Sequence, residues 1–219
     1  MNLDFIINHI PMYIKAIRLT LFLGVTGILF SIIIGLFCAF ILYYKVPLLK
    51  ITVSAYIELS RNTPLVIQLF FLYFGLPKIG IKLSSHTCAI TGLSFLGGSY
   101  MCEAFRSGLE AVKKSQIESG LSIGLTEYQL VTSVILPQAF SIALPAIGAN
   151  TIFLMKETSV VGILALMDLM FLTKDLIGLY YNTTEALFML IIAYLIIIFP
   201  ISQFLTYAER RVRYAVSGN

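Results

Sequence analysis

The sequence contains few charged residues. Only 12% of its 219 residues are charged, against about 25% in a typical soluble domain, and 58% are hydrophobic. The charges are also clustered, which leaves five runs of 16 to 28 residues without Asp, Glu, Lys or Arg. The runs are 19–44, 62–77, 83–102, 128–155 and 186–208. Because a bilayer-crossing helix needs roughly 20 apolar residues, the runs predict a membrane protein with several spans and argue against a soluble enzyme.

Residues that commonly bind metals or carry out catalysis are few and scattered. His9 and His86 are isolated, and the three cysteines have neither metal-ligand nor paired-disulfide spacing. The sequence contains no G-x-S-x-G nucleophile motif and no G-x-x-x-x-G-K-[ST] phosphate loop. Its 15 basic residues form only short clusters with no aromatic residues between them. We therefore expect no metal site, no cofactor on this chain, no catalytic centre and no nucleic-acid partner.

The apolar runs predict an all-α, polytopic bundle of about five membrane-spanning helices in one domain, residues 1–219. The predicted spans are 19–44, 51–76, 83–109, 137–166 and 186–207. Residues 2–18 are expected to form a short interfacial segment, and 168–185 a polar loop. Arg61 and Pro64 interrupt the second span. The fourth span is longer than one crossing needs, so we expect it to be kinked or divided.

Small residues recur along the first predicted span. Gly27, Ser31 and Gly35 are spaced four residues apart, which places them on one helix face. Small residues at this spacing let two helices approach closely in lipid. The pattern predicts that another helix packs tightly against this face.

The distribution of basic residues predicts the orientation. The connections after spans one and three and the C-terminal tail hold seven Lys and Arg residues, and the opposite side holds five. Cytoplasmic segments carry the excess of these residues. We therefore expect a multi-pass membrane protein with its N-terminus outside and its C-terminus in the cytoplasm.

The segment between spans three and four is polar and amphipathic. Over residues 111–133, apolar residues recur every three or four positions, which predicts a surface helix on the cytoplasmic side. Within it, Glu118 precedes Gly124 by six positions, and Gly124 precedes Pro137 by thirteen. This spacing resembles the EAA loop of ABC importer permeases, E-A-A, three residues, Gly, nine residues, I-x-L-P.

The match to the EAA loop is incomplete, because Ser119 and Gly120 stand where the loop has two alanines and Val134 stands where it has isoleucine. The resemblance implies a coupling region over about 115–137, in which Glu118 begins the helix and Gly124 lets another protein approach closely. At its end, Leu136 and Pro137 stand where the chain would turn into the fourth span.

Other stretches resemble the polar amino-acid branch of the same family. They are R-N-T-P-L from Arg61, Y-M-C-E-A-F-R from Tyr100 and K-E-T-S from Lys156. The branch usually has glycine where Asn62 stands. The resemblance covers about residues 18–208 and implies the type I importer fold. It also implies a permease that moves a polar amino acid such as glutamine, glutamate, arginine or histidine.

The resemblance further implies the partners. They would be two cytoplasmic ATPase subunits that bind ATP and Mg²⁺, a second permease subunit (identical or different), an extracytoplasmic substrate-binding protein and membrane lipid. On this chain the absence of a phosphate loop fits a pore subunit that hydrolyses no ATP.

Charges within the predicted spans are the candidate substrate contacts, because charge inside a membrane is costly and usually functional. We expect Arg106 and Lys156 to bind the carboxylate of an amino acid, with Asn150 almost two turns before Lys156. Glu103, Glu157 or Asp168 could meet the amino group or a basic side chain of the substrate.

The same charges also allow a structural interpretation. Glu103 and Arg106 lie three residues apart and could form an internal ion pair that holds helices together. Likewise, Lys156 and Glu157 could neutralise each other at a kink.

Two other functions compete with an ABC permease. A proton-coupled secondary amino-acid transporter would also use intramembrane carboxylates, but it is typically built from internal repeats, and none is evident. A membrane-embedded enzyme would need a nucleophile or metal set that the sequence lacks.

Overall fold

The computed structural model describes residues 2–217, and the side chains of residues 2–214. The helices are α1 (Leu3–Tyr43), α2 (Leu49–Asn62), α3 (Leu65–Phe70), α4 (Ser85–Glu110), α5 (Lys114–Ser122), α6 (Glu127–Leu130), α7 (Leu136–Glu157), α8 (Leu169–Tyr180) and α9 (Thr183–Ser217). Two π-helical turns (Phe71–Gly75 and Val131–Ile135) and two 3₁₀ segments (Leu76–Ile79 and Thr158–Leu164) extend them. The described part of the chain contains no strand, and the all-α prediction is confirmed.

Within residues 2–217, three helical stretches are long and apolar enough to cross a membrane. They are Leu3–Tyr43, Glu127–Leu164 and Thr183–Tyr214. The second predicted span is divided between α2 and α3. The third corresponds to α4, whose 26 residues would extend about 39 Å but carry three charges near the C-terminal end. The number of five crossings therefore stays a prediction.

The helix α1 begins at Leu3 and continues without a break into the first predicted span. An interfacial position for residues 2–18 stays a prediction. Later parts of the chain hold the first turns of α1 in place. The buried Tyr13 hydroxyl donates a hydrogen bond to the Ala186 carbonyl (2.9 Å) and lies 2.9 Å from Thr173 Oγ1. Because these partners are more than 150 residues away in sequence, the local pattern could not reveal them.

The small-residue face of α1 packs closely against α4, as predicted. Gly27, Ser31 and Gly35 are all buried. A Cβ atom on Gly27 would lie 2.9 Å from Leu93 Cβ, and one on Gly35 would overlap Met101. The Ser31 hydroxyl donates to the Gly27 carbonyl (2.7 Å), so the buried serine leaves no unsatisfied donor.

The second predicted span is divided at Pro64. The residue before a proline favours extended backbone, and Thr63 is extended, with φ −115° and ψ 125°. The side chain of Gln68 bridges the break, because its Nε2 donates to the carbonyls of Ser60 (3.0 Å) and Thr63 (2.9 Å). The amide thereby satisfies carbonyls that the end of α2 leaves free.

The helix of the fourth span begins at Glu127 and continues to Leu164. Pro137 is the second residue of α7, so the prediction that the chain turns there is wrong. Proline cannot donate a helical hydrogen bond. The π turn Val131–Ile135 lies immediately before α7 and changes the bonding pattern there, so the helix continues past the proline. The kink or division expected in the fourth span corresponds to this π turn and to the 3₁₀ segment after α7.

The prediction of a loop over 168–185 is also wrong, because most of this range forms α8. Leu169, Leu172 and Leu176 lie on one face of α8 and are buried. The polar residues between them suggested a loop, but they occupy the other positions of an amphipathic helix.

Candidate functional site

Four charged side chains of α2 and α4 form a chain of ion pairs, here called the charged cluster. Arg106 lies between two carboxylates, since its Nη2 is 3.1 Å from Glu103 Oε2 and its Nη1 is 3.1 Å from Glu110 Oε1. Arg61 Nη1 is 3.8 Å from the same oxygen of Glu103. The Glu103–Arg106 pair considered in the structural interpretation is therefore present, within a larger network.

The aromatic ring of Tyr100 lies one turn from this cluster and connects three helices. The guanidinium carbon of Arg61 is 5.1 Å from the ring centroid. The Asn150 side chain donates from Nδ2 to the Tyr100 carbonyl (3.1 Å), and the Phe153 ring centroid is 5.2 Å from that of Tyr100. The predicted pathway residues Glu103, Arg106 and Asn150 thus lie around one turn of α4.

This face of the molecule is partly open. The side chains of the charged cluster are between 35% and 55% exposed. The four charges are therefore accessible from outside the described part of the chain.

Lys156 lies further along α7, one turn beyond Phe153, and is exposed. Among the described side chains, no carboxylate lies within 4.0 Å of its ammonium group. The neighbouring Glu157 is half-buried and forms no ion pair with it. An ion pair between these two residues therefore does not explain the lysine, whose role as a substrate contact stays a prediction.

The carboxylate of Asp168 lies apart from these residues and caps α8. Its oxygens accept hydrogen bonds from the backbone N–H groups of Met170 (3.2 Å) and Phe171 (3.1 Å), and the residue is fully buried. Burial raises the pKa of Asp168 to about 6, although the two hydrogen bonds oppose the shift. This geometry supports a structural role, and contact with substrate stays a prediction.

The raised pKa of Asp168 predicts a pH-dependent stability. Its model-peptide value is 3.8, so the folded state retains a proton that the unfolded state releases between pH 3.8 and about 6. The stabilising contribution is complete below pH 3.8 and disappears as the pH rises through about 6, a loss of about 3 kcal/mol. Unfolding in detergent at about pH 4 and about pH 7.5 measures this change.

The matched variants are Asp168→Asn and Asp168→Ala. Asparagine caps a helix as well as aspartate does but does not ionise, so this variant should lose the pH dependence and be the more stable protein at neutral pH. Alanine does not ionise either, and Asp168→Ala should be about 1 kcal/mol less stable than Asp168→Asn at both pH values because the cap is lost. An undiminished pH dependence in Asp168→Asn would assign the effect to another group.

The segment between α4 and α7 forms an exposed surface, here called the α5 surface. The predicted helix over 111–133 is in fact two helices, α5 and α6, separated by a short connection. Its apolar residues Leu121, Ile123 and Tyr128 are 51%, 79% and 78% exposed. A shallow groove of about 360 Å³ runs beside α5. Ser115, Gln116, Ser119, Gly120, Ile123, Leu125 and Val134 line this groove.

The glycines of this surface have different roles. Gly124 follows α5 with φ of 83°, in the left-handed region that strains residues with a Cβ atom. A Cβ atom on Gly120 would lie 2.6 Å from Leu130 Cδ1, so Gly120 lets the two short helices pack together. Close approach of another protein at Gly124 stays a prediction.

Glu118 is exposed and is the fifth residue of α5. The prediction that it begins the helix is wrong, because α5 starts at Lys114. Its carboxylate is therefore available to a partner rather than engaged at the helix N-terminus. Leu136 is the first residue of α7, beyond the α5 surface.

The sequence pattern identified Arg61 only as an interruption of the second span and did not indicate Tyr100 or Phe153 as site residues. An arginine inside a predicted span, three residues before a proline that divides it, was the available signal. The aromatic residues gave no separate signal, because their partners come from different helices.

The chain is similar to proteins described as amino-acid permeases. The chain is 39% identical over 169 residues to the probable amino-acid permease protein YxeN of Bacillus subtilis. The matched region covers 76% of this chain and 75% of that protein. The chain is also 31% identical over 216 residues to the probable glutamine ABC transporter permease protein GlnM of Bacillus subtilis, covering 97% and 98%.

A solved structure shares the fold. The crystal structure of an amino acid ABC transporter with histidines superposes with a TM-score of 0.88 at 28% identity, covering 96% of this chain and 99% of that one. The family model of the binding-protein-dependent transport system inner membrane component matches residues 31–214. The chain therefore belongs to the family of inner-membrane components of binding-protein-dependent transport systems, the permeases of ABC importers.

Proposed function

We propose that this chain is the permease subunit of an ABC importer that moves a polar amino acid across the cytoplasmic membrane. The family match over residues 31–214 carries this proposal. Relatives named as glutamine and amino-acid permeases support an amino-acid substrate. The candidates that the sequence resemblance implies are glutamine, glutamate, arginine or histidine.

Energy for transport would come from two partner ATPases, which bind ATP and Mg²⁺. A pore protein without its own nucleotide site needs a mechanical contact with these subunits, and the α5 surface offers exposed apolar side chains together with Glu118. Exposed apolar residues rimmed by polar ones are typical of protein contact sites. In this assignment α5 lies in the cytoplasm, the N-terminus outside and the C-terminus inside, with five crossings.

The substrate would pass along the face that carries the charged cluster. On a single chain this face is open, so a second permease, either a copy of this chain or a relative, would complete the path. An amino acid brings a carboxylate and an ammonium group, and the face offers both signs of charge in Arg106, Lys156 and Glu103. An extracytoplasmic binding protein would deliver the substrate.

Lys156 provides a test of the path. We expect Lys156→Gln to lower the rate of uptake about tenfold, because an unpaired cation at membrane depth is retained for function. Initial uptake rates of labelled amino acid measure the effect, and Lys82→Gln, a substitution of an exposed lysine in the α3–α4 connection, is the control. Equal rates for Lys156→Gln and the control would remove Lys156 from the pathway.

The function itself is tested by uptake in cells that lack their own transporter for the amino acid. Expression of the chain together with its ATPase and binding protein should restore uptake, and omission of the ATPase should abolish it. Uptake by the chain without an ATPase would favour the alternative, a proton-coupled secondary transporter.

A further inference from the structure

The second predicted span is interrupted between α2 and α3, and the turn before the interruption carries Arg61. The helix α2 ends at Asn62 and α3 begins at Leu65. Thr63 and Pro64 between them are extended, with ψ of 125° and 143°. Among the described residues, no side chain caps the start of α3. Helix ends leave backbone groups without partners inside the helix, so the geometry of this break depends on side chains from elsewhere.

Gln68 connects the two sides of the break. Its Nε2 donates to the carbonyls of Ser60 (3.0 Å) and Thr63 (2.9 Å). These residues lie before and after Arg61, so the amide holds the backbone of that turn directly. Gln68 is 9% exposed, which leaves little room for water to compete for the two carbonyls. The amide cannot be rotated by 180°, because Oε1 would then face two acceptors.

The other half of the Gln68 amide is unused. Its Oε1 is buried and accepts no hydrogen bond from any described residue. A buried acceptor without a partner costs free energy, so this amide is an inefficient means of stabilising the region. Such a group in a native protein needs an explanation. The position that its two donors impose on the last turn of α2 provides one.

Ser60 attaches the same turn to α4. Its side chain is fully buried, and Oγ donates to the Phe95 carbonyl (3.0 Å). The backbone next to Arg61 is thus held from α3 by Gln68 and from α4 by Ser60. The arginine side chain itself is less constrained, since it is 42% exposed and 3.8 Å from Glu103 Oε2. Its place in the charged cluster therefore depends on the backbone that carries it.

We propose that Gln68 is a positioning residue for transport. Its amide fixes the last turn of α2 across the break and thereby holds Arg61 over Tyr100 and beside Glu103, on the face that the substrate would follow. This assignment rests on the proposed function. Gln68 does not itself contact the substrate, because its donors are engaged and its side chain is buried. Loss of the amide should therefore reduce transport only through Arg61.

A double-mutant cycle between Gln68 and Arg61 tests this role. Gln68→Met keeps a long, unbranched side chain and removes the donors, whereas Arg61→Lys keeps the charge but loses the planar fork. Proteoliposomes with the permease, ATPase and binding protein take up labelled glutamine, glutamate, arginine or histidine with ATP, and initial rates are divided by the amount of assembled complex. We expect each single variant to lower the rate about tenfold. The double variant should fall to about the same level, because residues that act as a unit are not additive.

A conservative variant and a control separate positioning from stability. Gln68→Asn keeps an amide on a shorter side chain and should retain part of the rate. It replaces Gln68→Met in the cycle if that variant does not assemble, as reported by elution volume and basal ATP hydrolysis. Ser94→Ala removes another buried hydrogen bond to a backbone carbonyl, that of Ile90 (2.6 Å) on the same helix. It should leave the rate unchanged, both alone and combined with Arg61→Lys.

The results separate failure of this role from failure of the proposed function. If the losses from the two single variants multiply in the double variant, Gln68 acts independently of Arg61, and the positioning role is overturned. A wild-type rate in Gln68→Met, or in Arg61→Lys, overturns it as well. Uptake of none of the four amino acids by the wild-type complex contradicts the proposed function, and the positioning role, which rests on it, falls too.

Discussion

Replacement of Gly35 by alanine is expected to lower the free energy of unfolding by about 1–3 kcal/mol, although it adds one methyl group. The new Cβ atom would lie 2.8 Å from the backbone nitrogen of Cys102 and from the carbonyl carbon of Met101. Backbone atoms inside a helix cannot move aside as a flexible side chain can. The helices α1 and α4 would therefore separate along the face on which Gly27 and Ser31 also lie.

The matched control is the same substitution at Gly178. This glycine is exposed on α8, and no atom lies within 4 Å of the position that its Cβ would occupy. Alanine is favoured over glycine in a helix by up to about 1 kcal/mol, so Gly178→Ala should be neutral or stabilising. Denaturant unfolding of both variants in one detergent compares them. If Gly178→Ala lowered the free energy of unfolding as much as Gly35→Ala does, close packing would not be the cause of the destabilisation.

Substitution of Gly124 by valine is expected to abolish ATP-driven uptake while the protein still inserts into the membrane. The positive φ of 83° costs an L-residue about 1–2 kcal/mol, and a β-branched residue more. The connection after α5 would change its path and displace the α5 surface. Because this segment lies outside the helix bundle, the amount of protein in the membrane should not change.

Asparagine and alanine at the same position distinguish two explanations. Asparagine tolerates left-handed backbone better than alanine does, but it has the larger side chain. If backbone conformation is the requirement, Gly124→Asn retains more uptake than Gly124→Ala. The reverse order would mean that a partner approaches the glycine closely and that size is decisive. Normal uptake by Gly124→Val would remove this segment from the coupling mechanism.

Features that depend on spacing within one helix were predictable from the sequence. The face of Gly27, Ser31 and Gly35 packs against α4 because residues four apart share a helix face. The same rule places Glu103 beside Arg106. The presence of a polar helix between α4 and α7 followed from its amphipathic pattern. Its glycines, Gly120 and Gly124, predict a break or a close approach by another surface, and the helix is divided at Gly124.

Features that depend on contacts between distant residues were not predictable. Tyr13 is held by residues of α8 and α9, so α1 extends over residues assigned to the interface. The helix α8 was not recognised because its polar residues Thr173, Lys174 and Asp175 are consecutive and interrupt the apolar positions that pack against the bundle. The place of Arg61 in the charged cluster could not be predicted, because the residues it contacts, Tyr100 and Glu103, belong to another helix.

The central claim is that this chain forms a path for amino acids that is driven by ATP hydrolysis on its partners. Proteoliposomes that contain the chain, its ATPase and the binding protein test it most directly. Labelled amino acid and released phosphate are measured together, first with ATP and a protonophore, then with a proton gradient and no ATP. We expect the labelled amino acid to accumulate against its own concentration gradient in the first condition and not to accumulate in the second. Accumulation driven by the proton gradient alone would contradict it.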